Sequence, residues 1–75
     1  MKVEIEVSNY FLKYVNELSF EEEMDENTSI QSLIEQLGLP YDQIGFVIAN
    51  NVKVEFDYVL LEGDKIEIFP FIIGG

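Results

Sequence analysis

The stretch Thr28-Ser29-Ile30-Gln31-Ser32-Leu33-Ile34-Glu35-Gln36-Leu37-Gly38-Leu39-Pro40 decides the fold, because it carries the strongest local signal in the chain. Its aliphatic residues recur three and four positions apart, which is typical of a helix with one apolar face. They are Ile30, Leu33, Ile34 and Leu37. Thr28 and Gln31 have the spacing of a capping box, which predicts Thr28 as the N-cap. Gly38 and Pro40 predict a left-handed C-terminal cap and then a stop. We therefore expect one helix whose apolar face lies in the core.

Strand patterns lie on both sides of this helix. Residues 2–8 alternate apolar and charged side chains, and residues 19–24 form a second predicted strand around Phe20. Three further strands are predicted after the helix, at 44–49, 52–54 and 65–69. In the last of them Phe69 points outward, away from the core. Tight turns are expected at 50–51 and 62–64.

Two connecting segments are less regular. Residues 10–15 fit either one or two helical turns or a packed loop. Residues 56–61 return towards the core, and Leu60 and Leu61 are expected to anchor them there. Glu21, Glu22 and Glu23 are expected at a solvated strand edge, where charge also discourages edge-to-edge aggregation.

The order strand, strand, helix, strand, short strand, strand predicts an α+β domain. Its sheet is expected to be mixed and four- to five-stranded, with one main helix packed on one face. If the last strand lies parallel beside the first, the helix makes the right-handed crossover that such sheets prefer. That arrangement is the ubiquitin-like β-grasp.

The composition excludes several kinds of chemistry. The chain has no cysteine and no histidine, so Cys–His and Ser–His nucleophilic catalysis are impossible. Zinc, haem and iron–sulfur centres lack their usual ligands, and no metal site is predicted. Four lysines against fifteen acidic residues disfavour nucleic acid and anionic membranes as partners and favour a basic protein. Without a signal peptide, a membrane-length apolar run or a disulfide, a cytoplasmic location is expected.

The last residues, Phe69-Pro70-Phe71-Ile72-Ile73-Gly74-Gly75, predict a division of the chain. Residues 1–69 are expected to form the globular domain and residues 70–75 a flexible tail, because proline ends regular strand pairing and terminal glycines pack nothing. Fully extended, the six residues after Phe69 reach roughly 20 Å. Such a tail is long enough to enter a narrow active site of another protein while the domain stays outside.

The second half of the chain also resembles the MoaD/ThiS sulfur-carrier family. The most specific elements are Gly63-Asp64, the aliphatic strand ending in Phe69-Pro70, and Gly74-Gly75. The helical stretch 28–40 resembles the same family, so the likeness covers about two-thirds of the chain. Phe69-Pro70 is closer to the molybdopterin synthase small subunit than to the thiamine-pathway carrier. Phe71 replaces a second proline, however, and Ile73 replaces a small residue.

This resemblance implies a carrier that acts as a sulfur-donating subunit or co-substrate and is not an enzyme itself. An ATP-dependent activating enzyme of the ubiquitin-activating type would adenylate Gly75, and a sulfur donor would convert it to a thiocarboxylate. Gly74 would keep the backbone narrow there, and no cofactor would be bound. Docking is expected from Phe69, Pro70, Phe71, Ile72 and Ile73. The acceptor would be the large subunit of molybdopterin synthase or another enzyme.

Three alternatives remain open from the sequence. The chain is a ThiS-like carrier for thiamine, tRNA thiolation or cysteine synthesis, a ubiquitin-like modifier that forms an isopeptide bond through Gly75, or an acidic binding module with no covalent role. The carrier for molybdenum or tungsten cofactor synthesis is preferred to these three.

Overall fold

The computed structural model describes residues 1–71 and contains one five-stranded sheet. Its strands are β1 (Lys2–Val7), β2 (Ser19–Glu23), β3 (Ile44–Ala49), β4 (Val52–Val54) and β5 (Lys65–Pro70). The helix α1 (Ile30–Leu37) follows β2, and two 3₁₀ segments lie at Asn9–Tyr14 and Tyr41–Gln43. In the described part of the chain, no helix has the length and apolar character needed to cross a membrane.

The strand order in space is β2-β1-β5-β3-β4. β1 and β5 run parallel at the centre of the sheet, and every other neighbouring pair is antiparallel. The prediction of a mixed sheet crossed by one helix is confirmed. The β-grasp arrangement makes β5 the strand that connects the two halves of the sheet.

The core lies between α1 and the inward face of the sheet. Alternate residues of the three inner strands, β1, β5 and β3, point towards the helix, as the period of a half-buried strand requires. The fully buried side chains are Val3, Ile5, Phe11, Ile30, Leu33, Ile34, Val47, Leu60, Ile66 and Ile68. Phe11 comes from the first 3₁₀ segment, Asn9–Tyr14, so helical turns and not a packed loop are the right description of residues 10–14, while Val15 is extended. Truncating a buried aromatic of this kind to alanine typically costs about 3–5 kcal/mol.

The helix begins one residue later than the capping box predicts. Ser29 is the N-cap, and its hydroxyl accepts a hydrogen bond from the Ser32 N–H at 3.2 Å. Thr28 is buried, and its hydroxyl donates to the Asp25 carbonyl at 2.7 Å, which closes the preceding turn. At the other end Gly38 has φ +75°, so the predicted left-handed cap is confirmed.

Two other sequence predictions are wrong in detail. Leu60 is buried, but Leu61 is 62% exposed, because neighbouring residues of an extended segment point to opposite sides. The last strand runs to Pro70 and does not end at Phe69. Pro70 is buried opposite Ile44, and its missing N–H is tolerated because the pairing of β3 with β5 is irregular at this point, as at a β-bulge.

Candidate functional site

The face of the sheet that α1 leaves open carries a cluster of aromatic side chains at one end. Phe46 of β3 lies opposite Phe69 of β5, and both point away from the core because their neighbours Val47 and Ile68 point into it. The two rings stack with centroids 4.8 Å apart and planes 16° from parallel. Phe71 follows and is 63% exposed. We call Phe46, Phe69 and Phe71 the aromatic patch.

The aromatic patch borders a shallow depression where β3 bends. The depression has a volume of about 200 Å³ and is lined by Gly45, Phe46, Pro70 and Phe71. The pairing of β3 with β5 is irregular between Ile44 and Phe46, as at a β-bulge. Because of this irregularity, Phe46 points outward even though Ile44, two residues earlier on β3, points into the core.

Gly45 is required by the close approach of the two strands at this bend. A Cβ atom on Gly45 would lie 2.6 Å from the Pro70 carbonyl oxygen and 2.9 Å from the Phe71 Cα. The Phe71 N–H also donates to the Gln43 carbonyl at 2.8 Å. The chain is therefore held on β3 up to residue 71, and its direction at that point is fixed by backbone contacts.

The other end of the open face is acidic. Its carboxylates come from β1, β2 and β5 and form what we call the acidic band, Glu4, Glu6, Glu21, Glu23 and Glu67. Lys65 lies among them, with its Nζ 3.9 Å from Glu6 Oε1. One exposed sheet face thus joins an apolar end to a negatively charged end, and a partner that covers both must offer an apolar surface beside basic groups.

Asp64 organises the turn that leads into β5. Its carboxylate accepts hydrogen bonds from Asn50 Nδ2 at 2.8 Å, the Tyr58 hydroxyl at 2.8 Å and the Leu61 N–H at 2.9 Å. Burial by itself raises the pKa of Asp64, but these donors outweigh it, and the pKa lies below its ordinary value. Asp64 is therefore a buried structural carboxylate that connects β5 to the two loops beside it.

The hydrogen bond between Tyr58 and Asp64 also changes the pKa of Tyr58. Its hydrogen bond to Asp64 raises the pKa of the Tyr58 hydroxyl, and burial and the nearby negative charge raise it further. The hydroxyl is thus kept protonated as a donor. This network explains Gly63-Asp64 in structural terms, since Gly63 has φ +83° and turns the chain so that Asp64 points inward.

The structure places three of the predicted site residues and leaves the others outside the described residues. Phe69 and Phe71 lie in the aromatic patch, while Pro70 is buried and lines only the depression. Ile72, Ile73, Gly74 and Gly75 lie outside the described residues, so for these four the prediction of a flexible tail stays a prediction. Within residues 1–71, no group of three or more acidic, histidine or cysteine residues could hold a metal.

Sequence reasoning missed Phe46. The segment Ile44-Gly45-Phe46-Val47-Ile48-Ala49 is apolar at nearly every position, so alternation cannot show which residues face outward. A glycine inside a strand pattern is the available signal, since it often marks a bulge. A bulge at Gly45 puts Phe46 beside Phe69.

The fold and the site together define a small β-grasp protein with an exposed aromatic surface. The solved structure of SAMP1, a small archaeal modifier protein from Haloferax volcanii, is similar, with a TM-score of 0.75, 17% identity and full coverage of both chains. A Pyrococcus furiosus protein provisionally named molybdopterin converting factor subunit 1 gives a TM-score of 0.76 at 23% identity, covering 96% of this chain and 99% of that one. The Haloferax volcanii HVO 2177 protein gives 0.80 at 21% identity, covering 100% and 87%. These likenesses show the fold.

The family is shown by a separate comparison. The model of the ThiS family matches residues 9–75, and the chain belongs to that family. No curated protein matches the sequence. Members of the ThiS and MoaD group are small carrier proteins rather than enzymes, and they typically work with activating enzymes and partner subunits.

Proposed function

We propose that this protein is a sulfur carrier whose Gly75 carboxylate is converted to a thiocarboxylate. The observation that carries the proposal is the family match over residues 9–75, which includes Gly74 and Gly75 and the strand before them. The aromatic patch supports it, because an exposed stack of large rings beside the start of the tail is suited to docking.

The chemistry needs two partners, because this chain supplies no thiol and no histidine. A Gly75 carboxylate oxygen attacks the α-phosphorus of ATP, and pyrophosphate leaves, which gives an acyl adenylate. A hydrosulfide then attacks the acyl carbon, a proton is released, and AMP leaves with the former carboxylate oxygen. If the donor is a persulfide, an acyl disulfide forms first, and a second thiol releases the thiocarboxylate while being oxidised to a mixed disulfide.

The role of this chain in those steps is to deliver the reacting carboxylate. The aromatic patch and the depression at Gly45 would bind the partner's apolar surface, while the acidic band would face its basic groups. Gly74 and Gly75 have no side chains to obstruct the approach of nucleotide and sulfur. The activating enzyme would provide the binding site for ATP and the catalytic groups.

We assign the carrier to molybdenum or tungsten cofactor synthesis, as the small subunit of molybdopterin synthase, in preference to other sulfur pathways. Phe69-Pro70 supports this choice, as does the likeness to the Pyrococcus furiosus protein. Reconstitution tests it directly: the thiocarboxylated protein is offered in parallel to a molybdopterin synthase large subunit and to a thiazole synthase. Sulfur transfer to the thiazole synthase alone would reassign the carrier to thiamine synthesis.

The main experiment is the intact mass of untagged protein isolated from its native cells. We expect a species in which one oxygen is replaced by sulfur, with the change located at Gly75. Oxidation of Met1 or Met24 gives nearly the same mass, so the sample is also treated with iodoacetamide at neutral pH. The chain has no cysteine, and only a thiocarboxylate should be alkylated readily.

Two variants complete this test. Deletion of Gly75 should abolish the alkylated species, whereas Val52→Thr, an exposed change on edge strand β4, should leave it unchanged. Unmodified Gly75 in native protein that is also inert towards ATP and an activating enzyme would refute the carrier function.

The second candidate is a protein modifier, which the likeness to SAMP1 supports. In that case a partner thiol attacks the acyl adenylate and AMP leaves, which gives a thioester. A lysine amine then attacks the thioester, the thiol leaves, and an isopeptide bond is formed. Conjugates of higher mass that survive boiling with a thiol reductant would favour the modifier. Their absence, together with a thiocarboxylate, would favour the carrier.

A further inference from the structure

A second surface, unrelated to the aromatic patch, lies on the helix side of the sheet. It is a groove of about 380 Å³ between the end of α1, the first 3₁₀ segment and β2. Its half-buried apolar lining comes from Tyr14, Val15, Phe20 and Leu37, and Glu17 and Glu22 also line it. None of the lining side chains in the described part of the chain is basic.

The groove runs beside the free edge of β2. β2 is the outermost strand on its side of the sheet and pairs with β1 alone among the described residues. Met1 and Met24 exchange two backbone hydrogen bonds of 2.8 and 2.7 Å, and the Val7 N–H donates to the Leu18 carbonyl at 2.7 Å. Along an antiparallel ladder, pairs of opposite residues that are hydrogen-bonded to each other alternate with pairs that are not. The backbone groups of Ser19, Glu21 and Glu23 therefore point outward, away from β1.

We infer that this edge and groove bind an extended basic segment of a partner protein, which adds to the sheet as a sixth strand beside β2. Strand addition satisfies the outward N–H and C=O groups and places alternate side chains of the segment in the groove. The net charge of −11 and the glutamates along β2 select a segment rich in lysine and arginine.

The register of β2 defines the segment more closely. Phe20 and Glu22 point to the helix side, because they pair with the buried residues Ile5 and Val3, and Glu21 points to the open face. The segment should carry an apolar residue opposite Phe20 and basic residues opposite Glu21 and Glu22. Glu23 contributes less, because the Met1 ammonium lies 3.6 Å from its Oε2.

This inference does not rest on the proposed function. Glu21 and Glu23 also belong to the acidic band, but the edge of β2 and the groove involve neither Gly75 nor the aromatic patch. The test uses the full chain labelled with ¹⁵N and the capped peptide Thr-Lys-Arg-Ile-Thr-Val, followed by NMR. We expect saturable shifts at Tyr14, Phe20 and Leu37. The amides of Ser19, Glu21 and Glu23 should gain protection from hydrogen exchange, because they become donors in the new ladder.

Two altered peptides and two double variants of the protein separate strand addition from general attraction between opposite charges. A peptide with glutamate in place of its lysine and arginine should not bind, and N-methylation of its pairing amides should remove the protection. The double variant Glu21→Lys/Glu22→Lys should weaken binding by about tenfold or more, since each pair contributes modestly and is replaced by repulsion. The variant Glu55→Lys/Asp57→Lys makes the same charge change at exposed positions away from β2 and should have little effect.

Two results would overturn the inference. Equal weakening by both double variants would show that only net charge matters. No saturable binding at all would mean that the glutamates of β2 serve only to keep its edge from pairing.

Discussion

The rings of Phe46 and Phe69 stack across β3 and β5 with centroids 4.8 Å apart. Stacked aromatic pairs contribute about 0.5–1.5 kcal/mol beyond their burial, so we expect a coupling of that size between Phe46→Ala and Phe69→Ala. The measurement is a double-mutant cycle on the free energy of unfolding in urea. Phe46→Ala combined with Leu12→Ala is the matched control. Leu12 is exposed in the first 3₁₀ segment, so this pair should be additive within about 0.5 kcal/mol. A coupling near zero for the stacked pair would contradict the prediction.

Taken singly, Phe46→Ala and Phe69→Ala should reduce thiocarboxylate formation more than they reduce stability. If the aromatic patch docks the activating enzyme, both alanine variants should reduce the thiocarboxylated fraction in native cells. Leu12→Ala should not. The readout is the alkylated fraction by intact mass.

Gly45→Ala should destabilise the domain and disturb the start of the tail. The added Cβ would lie 2.6 Å from the Pro70 carbonyl oxygen, and forcing backbone apart in this way typically costs about 1–3 kcal/mol. We expect the Phe71 amide resonance to move, because its N–H is bonded to the Gln43 carbonyl on the same bend.

Gly38→Ala is the matched control for this change. A Cβ atom on Gly38 would meet no other atom within 4 Å, but Gly38 has φ +75°, so alanine there should cost about 1–2 kcal/mol from backbone strain alone. The Phe71 amide should stay in place. A Gly45→Ala variant with wild-type stability and an unmoved Phe71 amide would disprove the close approach.

Asp64→Asn should destabilise the protein at neutral pH by about 1.5–3 kcal/mol, because a charged acceptor of three hydrogen bonds is replaced by an amide. The pKa of Asp64 is lowered by folding, so its stabilising effect is present above the unfolded pKa of about 3.9. That effect is lost as the pH falls through the folded pKa. The stability difference between wild type and variant should therefore be constant near neutral pH and shrink in acid.

Asp57→Asn is the control for Asp64→Asn, since Asp57 is exposed. Like most surface substitutions, it should change the free energy of unfolding by less than about 0.5 kcal/mol. A difference for Asp64→Asn that is independent of pH down to about pH 2 would refute the role of its ionised form.

Tyr58 should make the free energy of unfolding depend on pH in the alkaline range, whereas Asp64 does so in acid. Its pKa is raised by folding, so its contribution is complete below the unfolded pKa of about 10 and is lost as the pH rises through the folded value. Tyr58→Phe should remove this alkaline loss. Urea unfolding of both proteins between neutral and strongly alkaline pH measures it, with Tyr10→Phe, an exposed tyrosine, as the control.

Glu21→Lys should stabilise the domain. Glu21 lies directly opposite Glu4 in a non-hydrogen-bonded pair of the antiparallel ladder, where side chains are closest. Replacing like charges by an opposite pair should gain about 0.2–1 kcal/mol. The gain should shrink near 1 M salt, where the screening length is about 3 Å. Glu55→Lys is the control, and a gain of the same size there would point to net charge instead of the cross-strand pair.

The sequence predicted well the elements whose residues are compatible with only one local structure. The stripe at 30–37 can only be buried as a helix, and Asn50 and Asn51, with φ of 53° and 71°, make the turn that this dipeptide favours. The N-cap was misplaced because Thr28 and Ser29 are both good caps. The choice depends on Thr28 bonding to the Asp25 carbonyl.

The site was less predictable, because it depends on how strands far apart in sequence meet. Phe69 could be placed outward by alternation, but its stacking partner Phe46 lies in a uniformly apolar strand with a bulge. The groove beside β2 likewise needs the relative positions of Tyr14, Phe20 and Leu37, which no local pattern contains.

The central position of β5 has a consequence for how the protein is made. β5 is the last of the five strands to leave the ribosome, yet β1 and β3 both pair with it and do not pair with each other. In a nascent chain that lacks residues 65–70, native strand pairing is limited to the two separate pairs β1-β2 and β3-β4, and isolated two-stranded hairpins are marginally stable. Folding should therefore wait until synthesis of this domain is nearly complete. Until then chaperones, not native contacts, would protect the apolar faces of the nascent chain.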